Sequence, residues 1–371
     1  MSMEAAHKHA SPLARYLLIG YVLLIAYASL HPFLDWYDPG VRPFTFLGSF
    51  WPRYYTKFDI VANFLAYVPL GLLTVGALYP RIRGLFAWLL AACLGVALSL
   101  TLESLQNYLP SRIPSSLDVA CNSAGAAAGA LLSLYLTPRM LGRGMLFHLR
   151  HDIFADGHTV DIGLVLIGGW LLSLLRPESL LFGSGDLRFL FDAMPMVLYD
   201  PSMFVRVEAL VTVSNIVAVA LLLSLLLVDK APKRGVFLAL LLIACAVRAI
   251  AFIVLFEGRN ALAWLTPGAT SGLLIGVPLG LAALSLRRGT AIGICGLLLM
   301  AATAMVNLAP DNPYLIIVHQ AWYQGHFLNF NGLTRLLSTL WPFAALTYLL
   351  MYTTRALNKE RDAAQAREGR L

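Results

Sequence analysis

Apolar residues fall in long runs parted by short polar interruptions. The runs lie near 13–30, 58–79, 84–105, 117–137, 159–175, 205–228, 235–256, 267–286, 290–308 and 336–355. A helix of about 20 apolar residues, rising 1.5 Å per residue, crosses the ~30 Å of bilayer hydrocarbon. None of the runs shows the period-two alternation of membrane barrel strands. The pattern predicts an all-α fold, a polytopic transmembrane helix bundle of about ten spans, of which the fifth is the shortest. It also predicts three blocks: a four-helix unit over 1–140, a second over 141–288, and two further spans with a basic tail over 289–371.

Composition narrows the class. The chain has 371 residues, of which 59% are hydrophobic and 13% charged, with a mean hydropathy of +0.73. A soluble domain is nearer ~25% charged. So apolar a chain has too little polar surface to cover a soluble core and too many apolar residues to stay disordered. The formal charge of +7 would suit a nucleic-acid partner in a soluble protein. Here the excess sits in short connections and reads as membrane orientation. Arg81 with Arg83, Arg139 with Arg143 and Arg150, Lys230 with Lys233 and Arg234, and Arg287 with Arg288 alternate with poorer segments. The positive-inside rule then puts both ends in the cytoplasm.

Cys93, Cys121, Cys245 and Cys295 each fall inside an apolar run, without a CxxC partner, and read as packing residues. Ala26-Tyr27-Ala28 has the small-x-small form of a signal cleavage site. The first span is nevertheless expected to remain as a bundle member. Outer segments near 31–57 and 309–335 are rich in aromatics, among them Trp36, Tyr37, Phe44, Trp51, Tyr54, Trp322 and Tyr323. Such segments suit the headgroup level. His319 and His326 fall in the second of them and read as interfacial. No cofactor and no metal is expected.

Spans five to eight read as a faded parallel copy of spans one to four. Val61-Ala62-Asn63 is echoed by Val213-Ser214-Asn215, Arg112 by Arg259, and Gly125 with Gly129 by Gly272 with Gly276. The acids are not repeated: Leu265 and Ala269 stand where the first copy has Asp118 and Asn122.

Intramembrane polar groups cost ~2.5–3.5 kcal/mol each when charged and call for a functional reading. Asp59 and Asn63 share one face of span two. Glu103, Gln106 and Asn107 end span three, and Asp118 and Asn122 begin span four, above Gly125 and Gly129. With the predicted topology, all three sets reach the outer third of the membrane. A polar pocket opening outward is expected, with Arg112 at its mouth and Arg248 as a further positive charge. The bland alternative is that these are helix-end and interhelical residues.

Asp59-Ile-Val-Ala-Asn63-Phe-Leu-Ala-Tyr-Val-Pro69-Leu-Gly71 resembles the first motif of VanZ-like membrane proteins. Glu103-Ser-Leu-Gln106, Pro110-Ser-Arg112 and Asp118-Val-Ala-Cys-Asn122-Ser-Ala-Gly125 resemble the second. The resemblance covers about residues 15–137. It implies an integral protein of the bacterial cytoplasmic membrane, in a family named for association with low-level resistance to the glycopeptide teicoplanin. Carried over by position, it implies Asp59, Asn63, Glu103, Gln106, Arg112, Asp118 and Asn122 as polar site residues. Pro69, Gly71 and Gly125, with Gly129 below, read as structural.

Three functions fit. The first is non-catalytic binding of an amphiphile at the outer leaflet, a lipid-linked cell-wall intermediate or a lipoglycopeptide antibiotic. Amide and guanidinium groups would hold its sugar or phosphate oxygens. The second is an enzyme on such a lipid, with Glu103 or Asp118 as acid or base and Arg112 stabilising an anion. The third is a transporter, which the repeat suits and the one-sided placement of the polar residues does not. Binding is the reading the residues favour, with the lipid bilayer as partner and no nucleic acid.

Overall fold

The computed structural model describes residues 12–31, 33–48, 57–141, 150–188, 200–255, 261–309 and 328–368. Trp51, Tyr54, Trp322, Tyr323, His319, His326 and Arg259 lie outside the described residues.

Ten α-helices account for most of what is described. They are α1 (Pro12–Leu30), α2 (Lys57–Leu78), α3 (Gly84–Gln106), α4 (Ser116–Leu141) and α5 (His158–Ser173). Then come α6 (Pro201–Leu226), α7 (Lys233–Leu255), α8 (Pro267–Ala283), α9 (Arg288–Leu308) and α10 (Leu328–Glu368). All except α5 and α8 are long and apolar enough to cross a membrane. α5 and α8 have 16 and 17 residues, about 24–26 Å at 1.5 Å per residue. α10 runs beyond the apolar stretch 336–355 because hydropathy and helix propensity part company there. The residues after Arg355 are charged, yet Ala, Glu, Lys, Arg and Gln all favour helix.

The chain divides into two compact units, Met1–Asp152 and Ile153–Leu371. In the first, α4 lies against α2 and α3. A Cβ added at Gly125 would fall 2.1 Å from the Phe64 carbonyl oxygen of α2, and one at Gly129 would fall 1.9 Å from that of Val68. From the other side, a Cβ on Gly71 would meet the Ala126 carbonyl at 2.0 Å. Small residues allow such approach in a bilayer, where lipid tails give helices no hydrophobic reason to associate. Pro69 sits inside α2, two residues before Gly71. α1 lies over α2 and α3 through a core that includes Ile25, Leu30, Tyr67, Leu70 and Leu102.

In the second unit α6 is the central helix, with 72% of its span buried in protein. α8 approaches it through glycines again: a Cβ at Gly272 would meet Thr212 Cβ at 2.5 Å, and one at Gly276 would meet Ile216 Cδ1 at 2.9 Å. α8 starts at a Thr266 N-cap with Pro267 in its first turn, a common helix start.

Residues 180–185, which join α5 to α6, are buried and irregular. Buried irregular backbone must find partners for its polar groups within the protein. Pro342 in α10 lacks the N–H that would bond the Ser338 carbonyl, and Gly185 N–H donates to that oxygen instead, at 2.8 Å. The Asn307 side chain of α9 donates to Gly185 O and accepts from Leu187 N–H, both at 2.8 Å.

Candidate functional site

The first unit collects its polar residues at the end of the bundle where α2 begins, α3 ends and α4 begins. Ser115 is the N-cap of α4. Its hydroxyl accepts from the N–H groups of Leu117 and Asp118, at 3.2 and 3.4 Å. The N–H of Ser115 donates in turn to Glu103 Oε2, 2.9 Å away on α3. In an ordinary capping box the residue at the third helical position takes that N–H. Here that residue is Asp118, and its carboxylate instead accepts from Asn63 Nδ2 of α2 at 2.8 Å. Asp59, one turn before Asn63, acts electrostatically on Asp118. Glu103, 4% exposed, is within electrostatic reach of both Asp118 and Arg112.

One turn further in, the same three helices contribute a second polar layer. Asn122 donates to Ser99 Oγ at 3.0 Å. Ser99 also bonds with the Tyr67 hydroxyl, which lies within electrostatic reach of Glu103. Asp59, Asn63 and Tyr67 descend α2 a turn at a time; Glu103 and Ser99 do so on α3, and Asp118 and Asn122 on α4. The result is a polar column running inward until the close-packed Gly125 and Ala126. Asn122 Oδ1 is buried there with no hydrogen-bond partner among the described residues. A buried polar atom left in that condition costs ~1–3 kcal/mol.

Gln106 and Arg112 face the α1 side. Gln106 Nε2 donates to the Ser29 carbonyl at 3.1 Å. Arg112 Nη2 donates to the carbonyls of Ala28 and His31, at 3.3 and 2.5 Å. The last carbonyls of a helix lack intrahelical partners, and a cation there also suits the helix dipole. Burial pushes the Arg112 guanidinium down to about 10, and the nearby Glu103 carboxylate opposes that fall. Beside them, the 33–48 segment is tied to the end of α3: Asn107 Nδ2 donates to Pro43 O at 2.7 Å and Tyr37 N–H to Tyr108 O at 3.0 Å. Its Trp36, Tyr37 and Phe44 are exposed.

Asp59, Asn63, Glu103, Arg112, Asp118 and Asn122 therefore meet, with Gln106 at the edge. The residues not anticipated are Tyr67, Ser99 and Ser115. Each had a signal: Tyr67 and Ser99 extend the fourfold spacing by one turn, and Ser115-Ser-Leu-Asp118 has the spacing of a helix cap.

Arg248, read from the sequence as a further positive charge, is engaged within the second unit. It is buried in the second unit, where it donates to the carbonyls of Leu174, at 3.2 Å, and Pro177, at 3.1 Å, and to those of Arg176 and Ser179. These carbonyls follow α5, whose short length leaves them within the reach of α7. The second unit also has an acid that matching by position overlooked. Glu208 of α6 is buried, accepts from the Thr266 hydroxyl at 2.7 Å and lies within electrostatic reach of Arg248. In both units a buried Glu holds the N-cap residue of the glycine-bearing helix, and an Arg binds carbonyls at or beyond the end of an earlier helix.

The VanZ/LLP1 family matches residues 15–137, the stretch that contains all of α1 but its first turn, the whole of α2 and α3, most of α4 and every residue of the polar column. No curated protein and no solved structure matches the chain.

Proposed function

We propose that this membrane protein, VanZ-like in its first unit, binds the head of an amphiphile in the polar column without transforming it. Asp59, Asn63, Glu103, Asp118 and Asn122 would meet hydroxyl, amide or amine groups of the head. Arg112, with Gln106, would take its anionic oxygen. With both termini in the cytoplasm, as the basic connections suggest, the column opens to the outer leaflet of the bacterial cytoplasmic membrane. A lipid-linked envelope intermediate or a lipoglycopeptide antibiotic has the required chemistry. A part in glycopeptide resistance rests on the family match alone.

One observation carries this reading. The ends of three helices bring acids and amides together, Glu103 and Asn122 buried among them, and Asn122 Oδ1 remains there without a hydrogen-bond partner among the described residues. A purely structural cluster would tend to pair such atoms, because each pairing lowers the folding cost. Mild extraction followed by mass spectrometry of co-purified lipid tests it. The wild type should carry a near-stoichiometric amphiphile with a phosphate or sugar head, and Asp118→Asn together with Glu103→Gln should lose it. Equal lipid content in both proteins would overturn the reading.

The second unit is read as a degenerate copy of the first. Support comes from the shared glycine approach of α4 to α2 and of α8 to α6, and from the matching tasks of Glu103 and Glu208. With Arg248 held by the carbonyls that follow α5, this copy is assigned a structural role.

A further inference from the structure

We propose that the head held by the polar column carries a primary ammonium group, which docks between the Asp118 carboxylate and Asn122 Oδ1. The proposal rests on the binding function above and names the chemistry that the column selects.

Asp118 is an acid without a counter-charge. The groups that bond it or act on it are the Asn63 amide, the Asp59 and Glu103 carboxylates and the Cys121 thiol; among the described residues no cation does so. Other acids are matched. Glu103 lies within reach of Arg112. In the second unit Glu178 pairs with Arg176 and Asp186 with Arg188, both at 3.0 Å, and Glu208 lies within reach of Arg248. A carboxylate taken partly out of water beside like charges calls for a cation.

Asn122 supplies the second observation. It follows Asp118 by one turn on the same face of α4, and it is 5% exposed. Its Nδ2 is used on Ser99 at 3.0 Å. The flat amide then turns Oδ1 away from that bond, and this oxygen has no hydrogen-bond partner among the described residues. The positive end of α4 would by itself favour a carboxylate at Asp118. It does nothing for Asn122 Oδ1, because at that depth the N–H groups of α4 are spent within the helix.

Both oxygens need donors, and one of them also needs positive charge. Cβ atoms four residues apart on a helix stand about 5–6 Å from each other. A single nitrogen at about 2.9 Å from an oxygen on each side bridges that distance. A primary ammonium has three donors and a full charge, and its bond to a carboxylate is roughly twice as strong as a neutral one. A hydroxyl lacks the charge. A trimethylammonium has the charge but no N–H, and is recognised by aromatic faces rather than by oxygens such as these.

The full chain is placed in bilayers of phosphatidylethanolamine, phosphatidylcholine and phosphatidylglycerol in equal parts with identical tails. Lipids kept after mild extraction are counted by native mass spectrometry. The first lipid has a primary ammonium, the second a cation without N–H, the third hydroxyls without a cation. Wild type should retain phosphatidylethanolamine about tenfold over either of the others. Asp118→Asn should bring that ratio near one. Asn122→Leu should lower it several-fold, and it keeps the test decisive should Asp118→Asn fail to fold. Displacement by soluble glycerophosphoethanolamine supports the docking with the ammonium supplied from solution; retention against it supports a lipid-borne ammonium. A preference that survives both single variants overturns the assignment to Asp118 and Asn122. Equal retention of the three lipids, lost in Asp118→Asn together with Glu103→Gln, overturns the ammonium and leaves the binding function standing. A wild-type lipid content no different from that of the double variant overturns both.

Discussion

Glu103 Oε2 on α3 accepts the backbone N–H of Ser115, the residue that caps α4, at 2.9 Å. A cap that α4 could have closed with its own Asp118 is closed by a neighbouring helix, and Asp118 is left to face Asn63. Stability and function separate at this position. Glu103→Gln retains an acceptor for Ser115 and should leave thermal unfolding in detergent nearly unchanged, while ligand retention falls. Glu103→Ala removes the acceptor and should cost about 1–3 kcal/mol. Equal destabilisation by the two substitutions would show that the charge, rather than the cap, supports the fold.

The glycines of α4 make a sharper stability prediction. At Gly129 an added Cβ has no room, since the Val68 carbonyl oxygen would be 1.9 Å away and backbone yields little. Gly129→Ala should therefore destabilise the first unit by about 1–3 kcal/mol or more, with α4 displaced from α2. Gly20 in α1 has nothing within 4 Å of such a Cβ. Gly20→Ala should be neutral or stabilise by up to about 1 kcal/mol through helix propensity. Unfolding midpoints of the two variants, measured side by side, check the contrast.

Hydropathy and spacing made much of the fold legible. Every apolar run became a helix, since a buried apolar backbone in lipid must satisfy its own hydrogen bonds. Fourfold spacing marked the inward faces of α2 and α4, and Asn63 does meet Asp118. What stayed hidden depends on partners far along the chain. Nothing local to Arg248 says that its guanidinium binds carbonyls some 70 residues earlier, at Leu174 and Pro177. Glu208 was hidden because comparison by position looks for an acid on α8, whereas the acid that holds the α8 cap stands on α6. The helical tail of α10 was hidden because hydropathy registers lipid contact rather than helix formation.

The Asn63–Asp118 pair is suited to a double-mutant cycle. Both belong to the same polar column, yet each has other neighbours, so single substitutions confound several losses. Asn63→Ala, Asp118→Ala and the double variant, unfolded reversibly in micelles, should give a coupling of ~0.6–2 kcal/mol, the range for interhelical hydrogen bonds in membranes. A coupling near zero would show that the Asn63–Asp118 bond contributes nothing to the fold.

Asp186 links stability to pH. It lies outside the apolar helices, on the segment held by Ser338 and Asn307. Burial acts to raise its carboxyl, but the bonded and charged Arg188 outweighs that and holds it below the ordinary carboxylate value. A group whose pKa is depressed by folding contributes stability above its unfolded pKa, near 3.9, and loses it as pH falls through the lower folded value. Asp186→Asn should thus cost about 1.5 kcal/mol at neutral pH. The difference from wild type should close progressively below about pH 4. The check is the pH dependence of unfolding for wild type and variant. A gap that persists unchanged to low pH would mean that Asp186 acts by shape and neutral hydrogen bonding rather than by its charge.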